Sequence, residues 1–294
     1  MCAFSELILF KNISMKRIFA LLGLTMIINF NPLMAQEKEA PKMPPPGSAE
    51  AAMLELAKAS QNPVADMNTI PIQFNWFSGG GLPGSQTLSQ TLIQPVLPLP
   101  LNKDLNVVSR TVVPVMAVPT SNGEKQKGIA DIQEQIFFSP SHAKGLIWGF
   151  GPIFSLPTST VSVISTGQFA LGPNAVILVT PGKFVLGAVI NQMWRIGGST
   201  STTAINQFYT QPFINYNFKL GWSVSFAPAI TANWAAPSGQ QWTVPLGAGV
   251  SKITVVGKQP INISFQYYHN VERPDNAGAD QVRMVVAFLF PKSM

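Results

Sequence analysis

Residues 205–234 read INQFYTQPFINYNFKLGWSVSFAPAITANW. In the first half, Gln207, Gln211, Asn215 and Asn217 fall on one parity, and Phe208, Ile214, Tyr216 and Phe218 on the other. After Lys219-Leu220-Gly221 the alternation resumes, with Trp222, Val224, Phe226 and Ile230 opposed to Ser223, Ser225, Ala227, Thr231 and Asn233. A period of two held over ten or so residues is a strand with one apolar and one polar face. Two such strands joined by a short glycine-containing turn make a hairpin.

The same pattern extends in both directions from this hairpin. It predicts twelve strands near 68–77, 86–98, 104–117, 129–139, 146–156, 168–179, 183–196, 205–218, 222–234, 240–253, 260–270 and 281–290. Ten residues rise about 33 Å, and a tilt near 40° reduces that to the apolar band of about 25 Å of an outer membrane. Tight turns at 101–103, 141–145, 181–182, 219–221 and 257–259 alternate with loops at 78–85, 118–128, 157–167, 197–204, 235–239 and 271–280. That alternation is what twelve strands need when both chain ends lie on the short-turn side. In lipid every backbone N–H and C=O must be paired internally, so the sheet must close. The expectation is an all-β fold: a twelve-stranded antiparallel transmembrane β-barrel over 68–294 with a short N-terminal helix, the short turns periplasmic. A lysine lies in or beside each tight turn (Lys103, Lys144, Lys183, Lys219 and Lys258), where it can meet anionic headgroups.

Composition agrees with a two-faced barrel wall. Of 294 residues, 11% are charged, against about a quarter in soluble domains. Mean hydropathy is only +0.22, and beyond the N-terminal region no run approaches the eighteen or so apolar residues of a membrane helix. The single cysteine, Cys2, leaves no pair for a disulfide or a two-cysteine zinc site. No basic stripe interleaves with exposed aromatics, so nucleic acid is not an expected partner.

The N-terminus has the order of an export signal. Met15-Lys16-Arg17 is a basic start, residues 18–30 an apolar core, and Leu33-Met34-Ala35 a cleavage site that places the mature start at Gln36. Met15 is an alternative start codon position. Residues 36–67 form a periplasmic leader, charged and then proline-rich. Within it residues 48–60 predict a helix: Ser48 caps it, Glu50 sits in its first turn, and Met53, Leu54, Leu56 and Ala57 supply apolar contacts. Asn62-Pro63 ends it. Such a helix can plug the barrel, rest on its rim or serve as a tether.

Parity also assigns the two faces. Trp76, Trp148, Trp194, Trp222, Trp234 and Trp242 all have the outward parity and sit close to strand ends. They form the expected aromatic girdle at headgroup level. The inward parity is rich in Asn and Gln, Gln207 and Gln211 among them, with Arg110, Asp131, Arg195 and Arg283 as its charges. Twelve strands stand between the eight that side chains fill and the sixteen that leave an aqueous channel. Proline at 95, 114, 152, 173, 212, 228 and 245 removes ladder donors inside strands, which calls for bulges at places the pattern does not locate. Glu134 has the lipid parity and predicts a bulge or register slip nearby. A centre near residue 123 or 124 sets Arg110 opposite Phe137. Arg110 then lacks a neutralising neighbour and either gives the pore an anion preference or latches a plugging helix through Glu50 or Glu55.

Several runs, in order, carry a resemblance. They are Asn62-Pro63-Val64-Ala65, Gln94-Pro95-Val96, Ser109-Arg110-Thr111-Val112-Val113-Pro114-Val115, Asp131-Ile132-Gln133, Ile147-Trp148-Gly149-Phe150-Gly151-Pro152 and Leu156-Pro157-Thr158. Gly172-Pro173, Gln211-Pro212-Phe213, Gln241-Trp242-Thr243-Val244-Pro245, Val250-Ser251-Lys252 and Phe288-Leu289-Phe290-Pro291-Lys292 continue it. Over about residues 50–292 the chain resembles a family of bacterial outer-membrane proteins labelled transporters, some as "neuromedin U". They are similar to the MetA-pathway phenol-degradation barrels. The resemblance implies a Gram-negative outer-membrane location and passage of small, hydrophobic or aromatic molecules. It brings no catalytic or binding residues with it. Glu134 departs from the family, where proline is expected.

Catalysis is not expected. Of the two histidines, His142 lies in a tight turn and His269 on the lipid parity near an outer strand end. A Ser-His site of the outer-membrane phospholipase kind needs a hydroxyl within hydrogen-bond reach of the base, yet Ser251 and Ser264 have the lumen parity and the helpful carboxylates are absent. Gly79-Gly80-Gly81 is a loop tip with no helix after it, not a phosphate cradle. No metal or cofactor is called for. The function expected is a channel for small solutes; the alternatives are a closed structural barrel or an adhesin using loops 157–167 and 197–204. The expected partners are outer-membrane lipid, the barrel-assembly machinery and a small-molecule solute.

Overall fold

The computed structural model describes residues 47–82, 86–143 and 145–291. The export signal (1–35), the first part of the leader and Lys144 lie outside these. After a short helix, α1 (Ala49–Ser60), the chain forms a closed antiparallel barrel of twelve strands, three of them interrupted. These are β1 (Asn68–Ser78), β2 (Leu88–Ile93 and Val96–Pro100), β3 (Leu105–Pro119), β4 (Lys125–Ile129 and Ile132–Pro140), β5 (Leu146–Leu156) and β6 (Gln168–Val179). They continue as β7 (Phe184–Gly198), β8 (Asn206–Asn217), β9 (Trp222–Phe226 and Ile230–Asn233), β10 (Trp242–Val256), β11 (Gln259–Glu272) and β12 (Asp280–Phe290). Each strand pairs with its sequence neighbours, and β1 pairs with β12 from Asn68↔Phe290 to Ser78↔Asp280, which leaves no edge.

The β8–β9 hairpin turns at Lys219-Leu220-Gly221. Leu220 (φ 58°) and Gly221 (φ 73°) are both left-handed there, the conformation that matches the twist of a two-residue hairpin turn. Leu220 is the one non-glycine residue with positive φ among those described.

Prolines account for much of the irregularity. Pro95 and Pro228 sit in the gaps of β2 and β9, and Pro245 at the register shift between Val244 and Pro245. Pro152 and Pro173 face each other across β5 and β6. The ladder lapses on their far sides, where β4–β5 pairing skips Ile136 and Phe137 and β6–β7 pairing skips Gly172 and Pro173. Glycine precedes both prolines because the neighbouring backbone comes close. A Cβ would lie 2.2 Å from the Ile136 carbonyl oxygen at Gly151 and 1.6 Å from that of Gln192 at Gly172.

Two expectations about β3 and β4 are corrected. Residues 118–128 are not a long loop, since pairing runs on to Pro119↔Lys125 and the turn occupies 120–124. Arg110 stands opposite Gln135, not Phe137. The tight turn moves the hairpin centre, and one extra residue near Asp131 then shifts the register between the two halves of β4. That bulge does not turn Glu134 inward. It stays on the outer face, accepting hydrogen bonds from Ser109 Oγ and Thr111 Oγ1, each at 2.6 Å.

Outward side chains leave the barrel wall apolar. Phe150, Phe265, Ile177, Ile190, Val224 and Val250 are all exposed. An exposed apolar belt of this extent is lipid-facing surface.

Candidate functional site

The lumen is where polar side chains converge. One amide ladder climbs the β1–β3 wall: Arg110 donates to Gln94 Oε1, Gln94 to Gln73, Gln73 to Asn75, and Asn75 to Gln90, with Gln281 also donating to Asn75. A second holds Arg283, whose Nη1 donates to the Ala227 carbonyl and to Gln266 Oε1, each at 3.2 Å. Its guanidinium lies 4.9 Å from the centre of the Tyr268 ring. Gln211 joins that network by donating to the Ala227 carbonyl at 3.1 Å and accepting from the Tyr209 hydroxyl at 3.0 Å.

These ladders line open space. An outer cavity of about 690 Å³ is bounded by Leu92, Val112, Gln133, Asn191, Met193, Gln207, Tyr209 and the loop residues Pro237 and Asn276. A smaller one of about 230 Å³, on the short-turn side, is bounded by Gln61, Pro63, Met67, Gln73, Gln211 and Phe213. Both cavities have Gln94 and Arg110 in their walls. This pair therefore stands at the neck between them.

The N-terminal segment enters from the short-turn side. Ser48 Oγ caps α1 by accepting from the Ala51 N–H at 3.1 Å, and Leu54 and Ala57 bury its inner face. Gln61 exchanges hydrogen bonds with Asn217 (2.9 and 3.1 Å), and Asn262 donates to Ser60 at 3.2 Å. Asn62 Oδ1 accepts from the Val64 N–H, bending the chain so that Val64 joins a buried cluster with Val108, Phe137, Val176 and Phe213 inside the barrel. Residues 61–67 thus fill part of the lumen, leaving the smaller cavity beside them.

The other site candidates fall in different places. Asp131 is buried, but it is bound to the 157–167 loop: it accepts from Ser159 N, Thr166 N and Thr166 Oγ1, the last at 2.6 Å. It ties a loop to the rim instead of facing a solute. Arg195 is exposed at the loop end and donates to the Ser199 carbonyl at 3.3 Å. Gln207 lines the outer cavity and Gln211 the inner one. Arg110 has no latch to the helix, since its hydrogen bond goes to Gln94 and Glu55 holds Lys58. Trp76, Trp148, Trp194, Trp222 and Trp234 are exposed and Trp242 half-buried. Trp234 and Trp242 pack edge to face with centroids 5.2 Å apart, and Lys252 lies over Trp222 at 5.2 Å.

Two features escaped the sequence reading. His269 does have a carboxylate: its Nδ1 lies 2.9 Å from Asp280 Oδ1, which also accepts from the Tyr267 hydroxyl at 2.6 Å. The nearest outward serine by register, Ser78, pairs with Asp280 on the side away from His269. Three consecutive strands thus carry His269, Asp280 and Ser78 in a row, with the carboxylate between base and hydroxyl. Nucleophilic catalysis needs base and hydroxyl in contact. The second is a set of buried polar atoms without partners among the described residues: Gln135 Oε1, both amide atoms of Asn174, Asn262 Oδ1 and Arg283 Nε. The first was hidden because Asp280 falls in the expected loop 271–280, whereas it opens the last strand and pairs with His269.

No protein-family model matches the chain, and no curated protein matches it by sequence. Among solved structures it is similar to the COG4313 outer membrane channel from Pseudomonas putida F1, with a TM-score of 0.59 and 12% identity over 76% of this chain and 96% of that one. The NanC porin follows with a TM-score of 0.49 and 8% identity over 76% of this chain and 100% of that one. Outer membrane phospholipase A from Escherichia coli has a TM-score of 0.44 and 12% identity, over 81% and 98%. At such identities the likeness is one of fold. The architecture is that of outer-membrane barrels, and a channel is among them.

Proposed function

We propose that this barrel is an outer-membrane passage for small solutes of apolar or aromatic character, narrowed by its own N-terminal segment. The observation that carries the reading is the pair of cavities meeting at Gln94 and Arg110. A barrel built only as a structural wall has no need of about 690 Å³ of space behind an apolar and amide lining. The mixed lining, with Leu92, Val112, Met193 and Tyr209 among amides, suits solutes with apolar bodies. The resemblance to the phenol-degradation barrels points the same way, and the exposed outer wall fits lipid as its surroundings.

The competing reading is a closed barrel, favoured by the amide ladders, which satisfy many lumen groups without any solute. Liposome swelling separates the two. Vesicles carrying the refolded protein should swell in small solutes of the size of phenol or glycerol faster than empty vesicles, and not in disaccharides. Vesicles that behave like empty ones with every solute would favour the closed barrel.

A further inference from the structure

We propose that the outer cavity is a binding site for a small carboxylate with an apolar body, and that Arg110 takes the carboxylate. The inference rests on the channel reading and deepens it by naming the solute class.

Arg110 is the cation at the floor of that cavity. A guanidinium has five N–H donors in a fork that fits a carboxylate. Here the fork makes one side-chain bond among the described residues, to the neutral Gln94. Among the described residues the ion pairs are Lys58–Glu55 and His269–Asp280, so Arg110 has no carboxylate partner. The acids at this end of the lumen are bonded to groups other than Arg110. Asp131 is bonded to Thr166 and Ser159, and Asp275, at the rim, accepts from Gln240 at 3.0 Å. Arg283, the other lumen arginine, differs in being 4% exposed and bound into its wall.

A second group points to a ligand. Gln135 is the cross-strand partner of Arg110, 6% exposed, in the wall of the same cavity, and its Oε1 has no hydrogen-bond partner. The oxygen is the enclosed atom of that amide and no hydrogen bond among the described residues uses its Nε2, so Gln135 can offer its NH₂ to one carboxylate oxygen while Arg110 donates to both. Above this floor stand Leu92, Val112, Met193 and the ring of Tyr209, a wall for an apolar body. The volume of about 690 Å³ lies inside the range of about 300–1,000 Å³ usual for small-ligand sites. One unpaired cation, one unpaired amide and an apolar wall describe a monoanion such as an aromatic or branched-chain carboxylate.

Calorimetric titration of the refolded full-length protein tests this with four probes: benzoate, its neutral isostere benzamide, acetate and toluene. Benzoate should bind saturably and at least tenfold more tightly than each of the others. Arg110→Gln should weaken benzoate at least tenfold, Arg110→Lys by less, and Arg195→Gln, at the exposed rim, should leave it unchanged. Folding of each variant is read from its heat-modifiable electrophoretic mobility. If Arg110→Gln fails to fold, the benzoate-to-benzamide ratio in the wild type decides. Equal binding of the two, or benzoate binding undiminished in folded Arg110→Gln, overturns the proposal. Loss of solute passage with benzoate binding intact would instead refute the channel reading alone.

Discussion

Glu134 shows how a single residue can sit against the solvent it faces. A charge on the lipid side of a barrel costs about 2–4 kcal/mol at the midplane for a basic residue and less for an acidic one. Ser109 and Thr111 offset that by donating to the two carboxylate oxygens, both at 2.6 Å, and hydrogen bonds to charged groups contribute about 1.5–3 kcal/mol each. Ser109→Ala with Thr111→Ala should therefore lower unfolding free energy by about 2–4 kcal/mol in urea titrations of the vesicle-inserted protein. In a Glu134→Gln background the same pair should cost less than half as much. An equal cost in both backgrounds would mean that the hydroxyls matter through packing and not through the carboxylate. Arg110 is the counterpart on the inner face. There the unmet charge is turned toward space and not toward a neighbour, which is why the neck carries the solute argument.

At the scale of elements, the N-terminal segment is held at three places: side-chain hydrogen bonds at Gln61 and Ser60, Ala57 and Met67 packed with Ile253 and Leu289, and Val64 among Val108, Phe137 and Val176. Val64→Asp places a charge in that cluster at a cost of several kcal/mol unless the segment withdraws. Deuterium uptake over 49–67 should rise at least tenfold in that variant while the strands keep their protection. Uptake that rises across the strands as well would make Val64 part of the barrel core and not of a separable plug. This docking was not legible beforehand. The capping serine and the apolar positions of α1 are local signals, whereas the insertion of Val64 depends on which barrel wall the chain meets after Asn62-Pro63. The β3–β4 hairpin teaches the same limit. Alternation located both strands, but register follows turn length and bulges: the turn at 120–124 alone would set Arg110 opposite Glu134, and one extra residue near Asp131 moves the partner to Gln135, where Phe137 was expected. The neck of the lumen was therefore half readable, with Arg110 evident from parity and its neighbours not. The missed His269–Asp280 contact is of the same kind, a pairing across strands and not along one.

For the whole molecule, closure is what makes the parity reading consequential. Twelve strands with no edge turn one face of each strand into a lipid wall and the other into a lumen. Several Asn and Gln of that lumen bond to one another along two ladders, yet the ladders leave two chambers that share Gln94 and Arg110 in their walls. Passage of a solute through that neck is what separates a channel from a closed barrel. Single-channel recording of the refolded protein in a planar bilayer tests it most directly. Discrete conductance steps with a reversal potential shifted toward the anion, the shift lost in Arg110→Gln at low salt, are the predicted result. A folded, inserted barrel that carries no current at any applied voltage would contradict it.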